Sequence, residues 1–143
     1  MKTKKKMVAL GMSLMILCGS LASVSAYVYV PGTQYQTVTH KDIPAWGYHS
    51  FDTYYGSKKA TTGYFATFHK THGDAALGNF AEIITSGKTA RSNMIGIPEG
   101  KTVLSEEHSC SKGTVYFTAV GSHSLEPSNT CDVNLKFSAD NLR

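Results

Sequence analysis

The sequence predicts an all-β fold, a small antiparallel β-sandwich of about seven to nine short strands, and three observations favour it. Short runs of residues alternate between apolar and polar side chains, which is the period of a half-buried strand. Turns rich in glycine and proline separate these runs. The chain has 143 residues, which is enough for one domain with one modest core.

The first 26 residues have the features of an export signal. Four lysines within the first six positions precede an apolar stretch, Met7 to Ala22, and the segment ends in Val24-Ser25-Ala26, small residues of the kind that a signal peptidase reads. The apolar stretch is short for a membrane span, so a cleaved signal is favoured over an uncleaved tether. Cys18 follows Leu17 rather than a small residue, so we expect no lipidation.

We therefore predict a signal helix over residues 1–26 that is cleaved between Ala26 and Tyr27. The remaining chain, 27–143, is then a single secreted domain without a transmembrane anchor, because no later stretch is apolar enough to cross a bilayer.

The net charge of +4 belongs to this signal. Four of the 14 basic residues and none of the 10 acidic ones lie in the first 26 positions, so the rest of the chain carries ten of each. A protein that binds nucleic acid needs local positive charge to displace counterions. The balanced charge makes nucleic acid an unexpected partner.

The first half of the chain contains four predicted strands. They are separated by the turn pair Pro31-Gly32, the loop at Asp42–Gly47 and the turn at Gly56–Lys59. The strands are Tyr27–Val30, Gln34–His40, Tyr48–Tyr55 and Thr61–Lys70. The last of these carries apolar weight on both faces, as a central sandwich strand does.

The second half is predicted to contain further strands, one of them ambiguous. Residues Asp74–Gly87 could form a helix capped by Asp74, but Phe80–Thr85 alone makes a good strand, which we favour. The other strands are Met94–Ile97, Lys101–Leu104, Thr114–Val120 and Asp132–Ser138. In the last, Val133, Leu135 and Phe137 face one way and the polar residues face the other.

Cys110 and Cys131 are the two cysteines after the signal, and in an exported domain such a pair is expected to form a disulfide. Two free thiols are the alternative. A simple hairpin of the last two strands would hold the cysteines about 20 Å apart, whereas a disulfide spans about 6 Å between Cα atoms. We therefore expect the last strand to cross to a second sheet.

The chain carries no strong catalytic motif. His69, His72 and Asp74 are weak candidates for metal ligands or an acid–base pair, because two histidines on one strand face opposite sides unless a turn intervenes. Neither a spaced zinc pattern, a serine elbow nor a phosphate loop is present. We expect a protein that is not an enzyme and holds no cofactor or metal; an exported hydrolase or metal-dependent enzyme using these three residues is the alternative.

Aromatic residues and lysines cluster between the second and fourth predicted strands. Rings flanked by lysine suit contact with a carbohydrate, a cell wall or a membrane surface. The alternative is that they are sandwich core and a solvated turn. The candidate surface-binding residues are Trp46, Tyr48, Tyr54, Tyr55, Lys58 and Lys59.

The same segment, Trp46 to Lys59, resembles the Tyr/His-rich Gly-Ser-Lys stretch of lactococcin-type secreted bacteriocins, over about a tenth of the chain. The resemblance implies a small exported β-sandwich that interferes with cell-wall synthesis in Gram-positive cells. This chain departs from that pattern in its greater length, its two cysteines and its lack of an aromatic C-terminal tail. The layout and basic signal also resemble small uncharacterised exported proteins, domains of unknown function, of Gram-positive bacteria.

These observations predict a secreted, non-enzymatic protein that binds a cell-wall or membrane-surface component of a bacterial envelope, in the manner of a bacteriocin. An extracellular structural or matrix component is a further alternative.

Overall fold

The fold is seen in a computed structural model that describes residues 27–45, 49–127 and 130–143. These residues form nine β-strands and no helix, which confirms the all-β prediction. None of their segments is a helix long and apolar enough to cross a membrane. The predicted signal, with Ala26 at its end, lies outside the described residues, and Tyr27 is the first residue described.

The strands form two sheets that pack as a sandwich. In chain order they are β1 (Val28–Pro31), β2 (Gln36–Pro44), β3 (His49–Lys58), β4 (Thr67–Gly73), β5 (Asn79–Ile84), β6 (Ile95–Gly96), β7 (Thr102–Leu104), β8 (Val115–Ser122) and β9 (Thr130–Ser138). The five-stranded sheet has the order β1-β3-β8-β5-β6 and the four-stranded sheet the order β2-β9-β4-β7.

Strand pairing is antiparallel with one exception. β1 runs parallel to β3 at the edge of the five-stranded sheet, where Val28 pairs with Tyr55 and Tyr29 with Gly56. β8 and β9 follow each other in sequence but lie in different sheets, so the predicted crossover is confirmed. The ambiguous segment 74–87 contains strand β5, as favoured.

The fourth predicted strand begins later than expected. It was predicted over Thr61–Lys70, but β4 begins at Thr67, and Tyr64 lies outside it with 64% of its surface exposed. The backbone N–H of Thr61 donates to the Asp140 carboxylate at 3.0 Å, which ties this segment to the C-terminal end of the chain instead of to a sheet. As predicted, β4 is central, because it lies between β9 and β7.

The main core lies between the two sheets. β9 contributes alternate buried residues, which confirms that Val133, Leu135 and Phe137 share one face. Phe68 of β4 packs with them in one cluster, as does Val120 of β8 from the opposite sheet. Aliphatic and aromatic side chains buried to this extent contribute about 1.5 to 3 kcal/mol each to folding, so this core is the main source of stability.

The two outer faces of the sandwich differ in chemistry. The four-stranded sheet is polar outside, where Thr39 Oγ1 donates to Asn134 Oδ1 at 2.9 Å and His69 Nδ1 lies 3.0 Å from Thr102 Oγ1. The five-stranded sheet carries a second apolar cluster on its outer face. Its members are Ile84, Phe117 and Ala119, with Tyr27, Met94 and Val115 packed against them. This second cluster is separate from the main core between the sheets.

Candidate binding surface

A bulge in β3 shapes the surface that carries the exposed rings. Asp52 pairs with Thr118 and Ser57 pairs with Tyr116, so the four residues 53–56 lie opposite the single residue Phe117 of β8. Extra residues in one strand of a pair disrupt the ladder and redirect side chains. Here they displace Tyr54 and Tyr55 from the regular sheet.

Two local features hold this bulge. Asp52 Oδ1 accepts the backbone N–H groups of Tyr54 at 3.1 Å and Tyr55 at 2.8 Å, as aspartate does in turns. Gly56 lies against β8 with no room for a side chain, because an added Cβ would overlap Val115 Cγ1. The sequence Asp-x-Tyr-Tyr-Gly therefore presents two tyrosines on a fixed backbone.

Exposed apolar side chains are concentrated on β1 and β3. Among the described residues nine large hydrophobic side chains are exposed, and five of them lie on these two strands. The five are Val28, Tyr29, Phe51, Tyr54 and Tyr55. We call these five residues, with Lys58 and Lys88, the β1–β3 edge. Contiguous exposed apolar side chains mark interaction sites more often than single ones do.

Two ammonium groups lie over rings of this edge. Lys58 Nζ is 5.7 Å from the centre of the Tyr29 ring, and Lys88 Nζ is 5.4 Å from the centre of the Phe51 ring. Both distances are within the range of cation–π attraction. The rings of Tyr54 and Tyr55 pack edge to face with centres 4.8 Å apart. The edge therefore combines rings, phenol hydroxyls and positive charge.

A recessed carboxyl lies on the same outer face of the five-stranded sheet. The Glu82 side chain is only 10% exposed, and its Oε1 lies 3.9 Å from His49 Nδ1. Burial raises the pKa of Glu82, and the charge of His49 partly offsets this effect. Glu82 is thus recessed, whereas the ammonium groups of Lys58 and Lys88 are exposed.

The predicted surface residues differ in where they lie in the structure. Tyr54, Tyr55 and Lys58 are exposed on the β1–β3 edge, whereas Trp46 and Tyr48 lie outside the described residues. The prediction for Lys59 is wrong, because its side chain is fully buried. Its Nζ donates to Asp140 Oδ1 and to the Ala139 carbonyl, each at 3.0 Å, so it fastens the C-terminal segment and contacts no solvent.

Four members of the edge are absent from the predicted surface residues: Val28, Tyr29, Phe51 and Lys88. Val28 and Tyr29 alternate as strand residues do, and an apolar residue on each face reads as a buried strand. Lys88 comes from the turn after β5 and reaches Phe51 only through the fold.

The predicted disulfide is absent, and Cys110 and Cys131 are free thiols. The last strand crosses to the other sheet, but Cys110 and Cys131 still lie at opposite ends of the sandwich. Cys131 lies near the start of β9, whereas His108, which accepts the N–H of Cys110, lies beside Ala139 just past the end of β9. The length of β9 separates them, on the order of 25 Å, while a disulfide spans about 6 Å.

Neither thiol has the character of a nucleophile. Burial raises the pKa of Cys110 to about 12, and burial also raises that of Cys131. Since the thiolate is the reactive form of cysteine, both groups are poorly reactive in the folded state.

His69, His72 and Asp74 are not brought together. His69 hydrogen-bonds Thr102, and His72 Nδ1 lies 3.9 Å from a Glu99 carboxylate oxygen. Asp74 Oδ1 instead accepts the backbone N–H of Asp132 at 2.6 Å. Across the part of the chain that the structure describes, no three His, Cys, Asp or Glu side chains are placed to hold a metal ion.

Comparison with protein-family models, with curated proteins and with solved structures finds no match to this chain. The β1–β3 edge is therefore the feature from which we infer a function.

Proposed function

We propose that this protein is a secreted, non-enzymatic binding protein that acts at a bacterial cell envelope through the β1–β3 edge. The observation that carries the proposal is the concentration of five of the nine exposed large hydrophobic side chains on two adjacent strands, with two lysines over their rings. Tyrosine is enriched in recognition surfaces because it combines an apolar body with a polar tip.

The chemistry of the edge suits binding better than catalysis. Ring faces, phenol hydroxyls and ammonium groups attract ligands, but an acid–base reaction needs a titratable pair within reach of one reacting atom. The candidate triad that favoured an enzyme, His69, His72 and Asp74, is divided among separate partners. Export, predicted from the first 26 residues, would place the edge where envelope components are accessible.

A bacteriocin-like action is the finer form of this proposal. In that form, binding at the envelope of related Gram-positive strains would inhibit their growth. Growth inhibition by the purified protein on a panel of such strains tests this form separately from binding.

The binding proposal is tested with the protein recovered from the culture medium. It is labelled and titrated onto whole Gram-positive cells and onto isolated wall and membrane fractions. We expect saturable binding. Tyr54→Ser combined with Tyr55→Ser should weaken it at least tenfold, because the contact area of two half-exposed rings is lost.

Tyr64→Ser is the matched control, since Tyr64 is 64% exposed but lies outside the edge. It should bind as the parent does. Absence of binding to every fraction, or equal loss in the control and the double variant, would overturn the proposal.

A further inference from the structure

The β1–β3 edge is exposed on both of its faces. Val28 and Tyr29 are successive residues of one strand, so their side chains point to opposite faces, and yet they are 49% and 47% exposed. Tyr54 and Tyr55 in the neighbouring bulge are 48% and 40% exposed, and their rings pack against each other on one side of it. At β1 the edge therefore presents apolar groups on two sides, Val28 on one and Tyr29 on the other.

This two-sided exposure restricts the kind of partner. A rigid protein surface or a single glycan chain laid against β1 covers one face of the strand and leaves the other in water. A deformable medium can surround both faces at once. The interfacial layer of a lipid bilayer is such a medium, and aromatic residues with polar tips are enriched there.

The charge of the edge indicates which bilayers would be favoured. Lys58 and Lys88 present ammonium groups beside the rings of Tyr29 and Phe51. The nearby Asp52 carboxylate is engaged by the backbone N–H groups of the bulge, and Glu82 is recessed. Lysines near a membrane surface are attracted to anionic headgroups.

We propose that the β1–β3 edge inserts as a wedge into the headgroup region of bilayers that contain anionic lipid, with the tyrosine rings at the acyl boundary and Lys58 and Lys88 against the headgroups. This inference rests on the proposed function and specifies the envelope component as the lipid surface. The edge is too short to cross the bilayer, so attachment is peripheral and reversible.

The test uses large unilamellar vesicles and co-sedimentation. The secreted protein is mixed with vesicles of equal parts phosphatidylglycerol and phosphatidylcholine, and with vesicles of phosphatidylcholine alone. We expect tighter binding to the anionic vesicles and a decline in that binding as salt is raised. Lys58→Gln should weaken binding to anionic vesicles about fivefold and leave binding to neutral ones unchanged.

The aromatic contribution is tested with the variants used on cells. Tyr54→Ser with Tyr55→Ser should weaken binding to both kinds of vesicle about tenfold or more, whereas Tyr64→Ser should leave it unchanged. Melting curves establish whether each variant is folded. If the double variant does not fold, Lys58→Gln, a change at an exposed position, still tests the inference.

Two outcomes would overturn the inference. One is no binding to either vesicle, and the other is binding that the tyrosine and lysine changes leave unaltered. If the protein binds cells or wall fragments through the tyrosines but does not bind vesicles, the lipid inference fails while the envelope proposal stands. If it binds vesicles but no cell fraction, the envelope proposal fails.

Discussion

His40 is a histidine held between the two sheets. Its Nε2 lies 3.0 Å from Thr118 Oγ1 and its Nδ1 lies 3.4 Å from Ser50 Oγ, so one ring from β2 reaches two hydroxyls of the other sheet. Burial lowers the pKa of His40 from 6.5 to about 4, and attraction to Asp52 and hydrogen bonding with Ser50 only partly offset this effect. The ring is therefore neutral in the folded protein at pH 7.

This histidine predicts a loss of stability in mild acid. Between pH 6.5 and about 4 the unfolded chain binds a proton at His40 that the folded chain does not, so the free energy of unfolding falls as the pH falls. The full effect is about 3 kcal/mol. Urea denaturation at pH 7 and pH 4.5 measures it, and His40→Leu should reduce the difference. An NMR titration showing that His40 protonates near pH 6.5 would contradict the prediction.

Asp140 and Lys59 form a buried ion pair that fastens the C-terminal segment. Asp140 also accepts hydrogen bonds from the backbone N–H groups of Ala60 at 2.6 Å and Thr61 at 3.0 Å. Burial acts to raise the pKa of Asp140, but the hydrogen bonds from Thr61, Ala60 and Lys59 outweigh it and lower the pKa below 3.8. The carboxylate thus contributes stability above its ordinary pKa, and this contribution is lost as the pH falls through the lowered value.

Removing the charge of Asp140 should be costly because the Lys59 ammonium would remain buried. We expect Asp140→Asn to lower the free energy of unfolding at pH 7 by about 3 to 5 kcal/mol. Glu107→Gln, a change at an exposed acid, is the control and should have little effect. Urea denaturation at pH 7 makes the comparison, and equal stability of Asp140→Asn and the parent would show that the pair does not hold the segment.

At the scale of elements, the strands were largely predictable and the bulge was not. The alternation in β9 and the apolar run in β5 are local, so they identify strands without knowledge of the fold. The bulge depends on how β3 registers against β8, whose paired residues lie 57 to 72 positions further along the chain. Its local components, Asp52 and Gly56, are common turn residues that do not by themselves specify a bulge.

Gly56 makes the bulge testable. Its position close to β8 predicts that Gly56→Ala forces Val115 and Phe117 to move, at a cost of about 1 to 3 kcal/mol. Gly87→Ala is the control, because the nearest atom to its added Cβ would be Thr85 Oγ1 at 3.7 Å, an ordinary contact. Thermal or urea denaturation of both variants measures the difference, and equal stability would contradict the tight packing at the bulge.

The difference between Lys58 and Lys59 illustrates what a sequence cannot disclose. Adjacent lysines after a predicted strand indicate a solvated turn, but Lys58 is the last residue of β3, so only its predicted exposure is right. Lys59 instead turns inward to a carboxylate 81 positions further along the chain. The cysteines give the same lesson, because their number and the predicted export indicate a disulfide that the direction of β9 does not permit.

At the scale of the molecule, the sandwich has one polar and one apolar outer face. The polar face of the four-stranded sheet satisfies its groups among Thr39, Asn134, His69 and Thr102. The other sheet ends in the β1–β3 edge, where exposed rings and ammonium groups are concentrated. The aromatic cluster was visible in the sequence, but its exposure was not, since strands of a core contain the same residues.

The most direct test of envelope binding through this edge is tyrosine footprinting. The purified protein is oxidised by hydroxyl radicals with and without saturating amounts of Gram-positive cells, and modification is read by mass spectrometry. We predict that Tyr29, Tyr54 and Tyr55 become protected in the presence of cells, while Tyr64, which is more exposed, reacts as before. Protection of Tyr64 alone, or unchanged modification of all four tyrosines on cells that bind the protein, would contradict it.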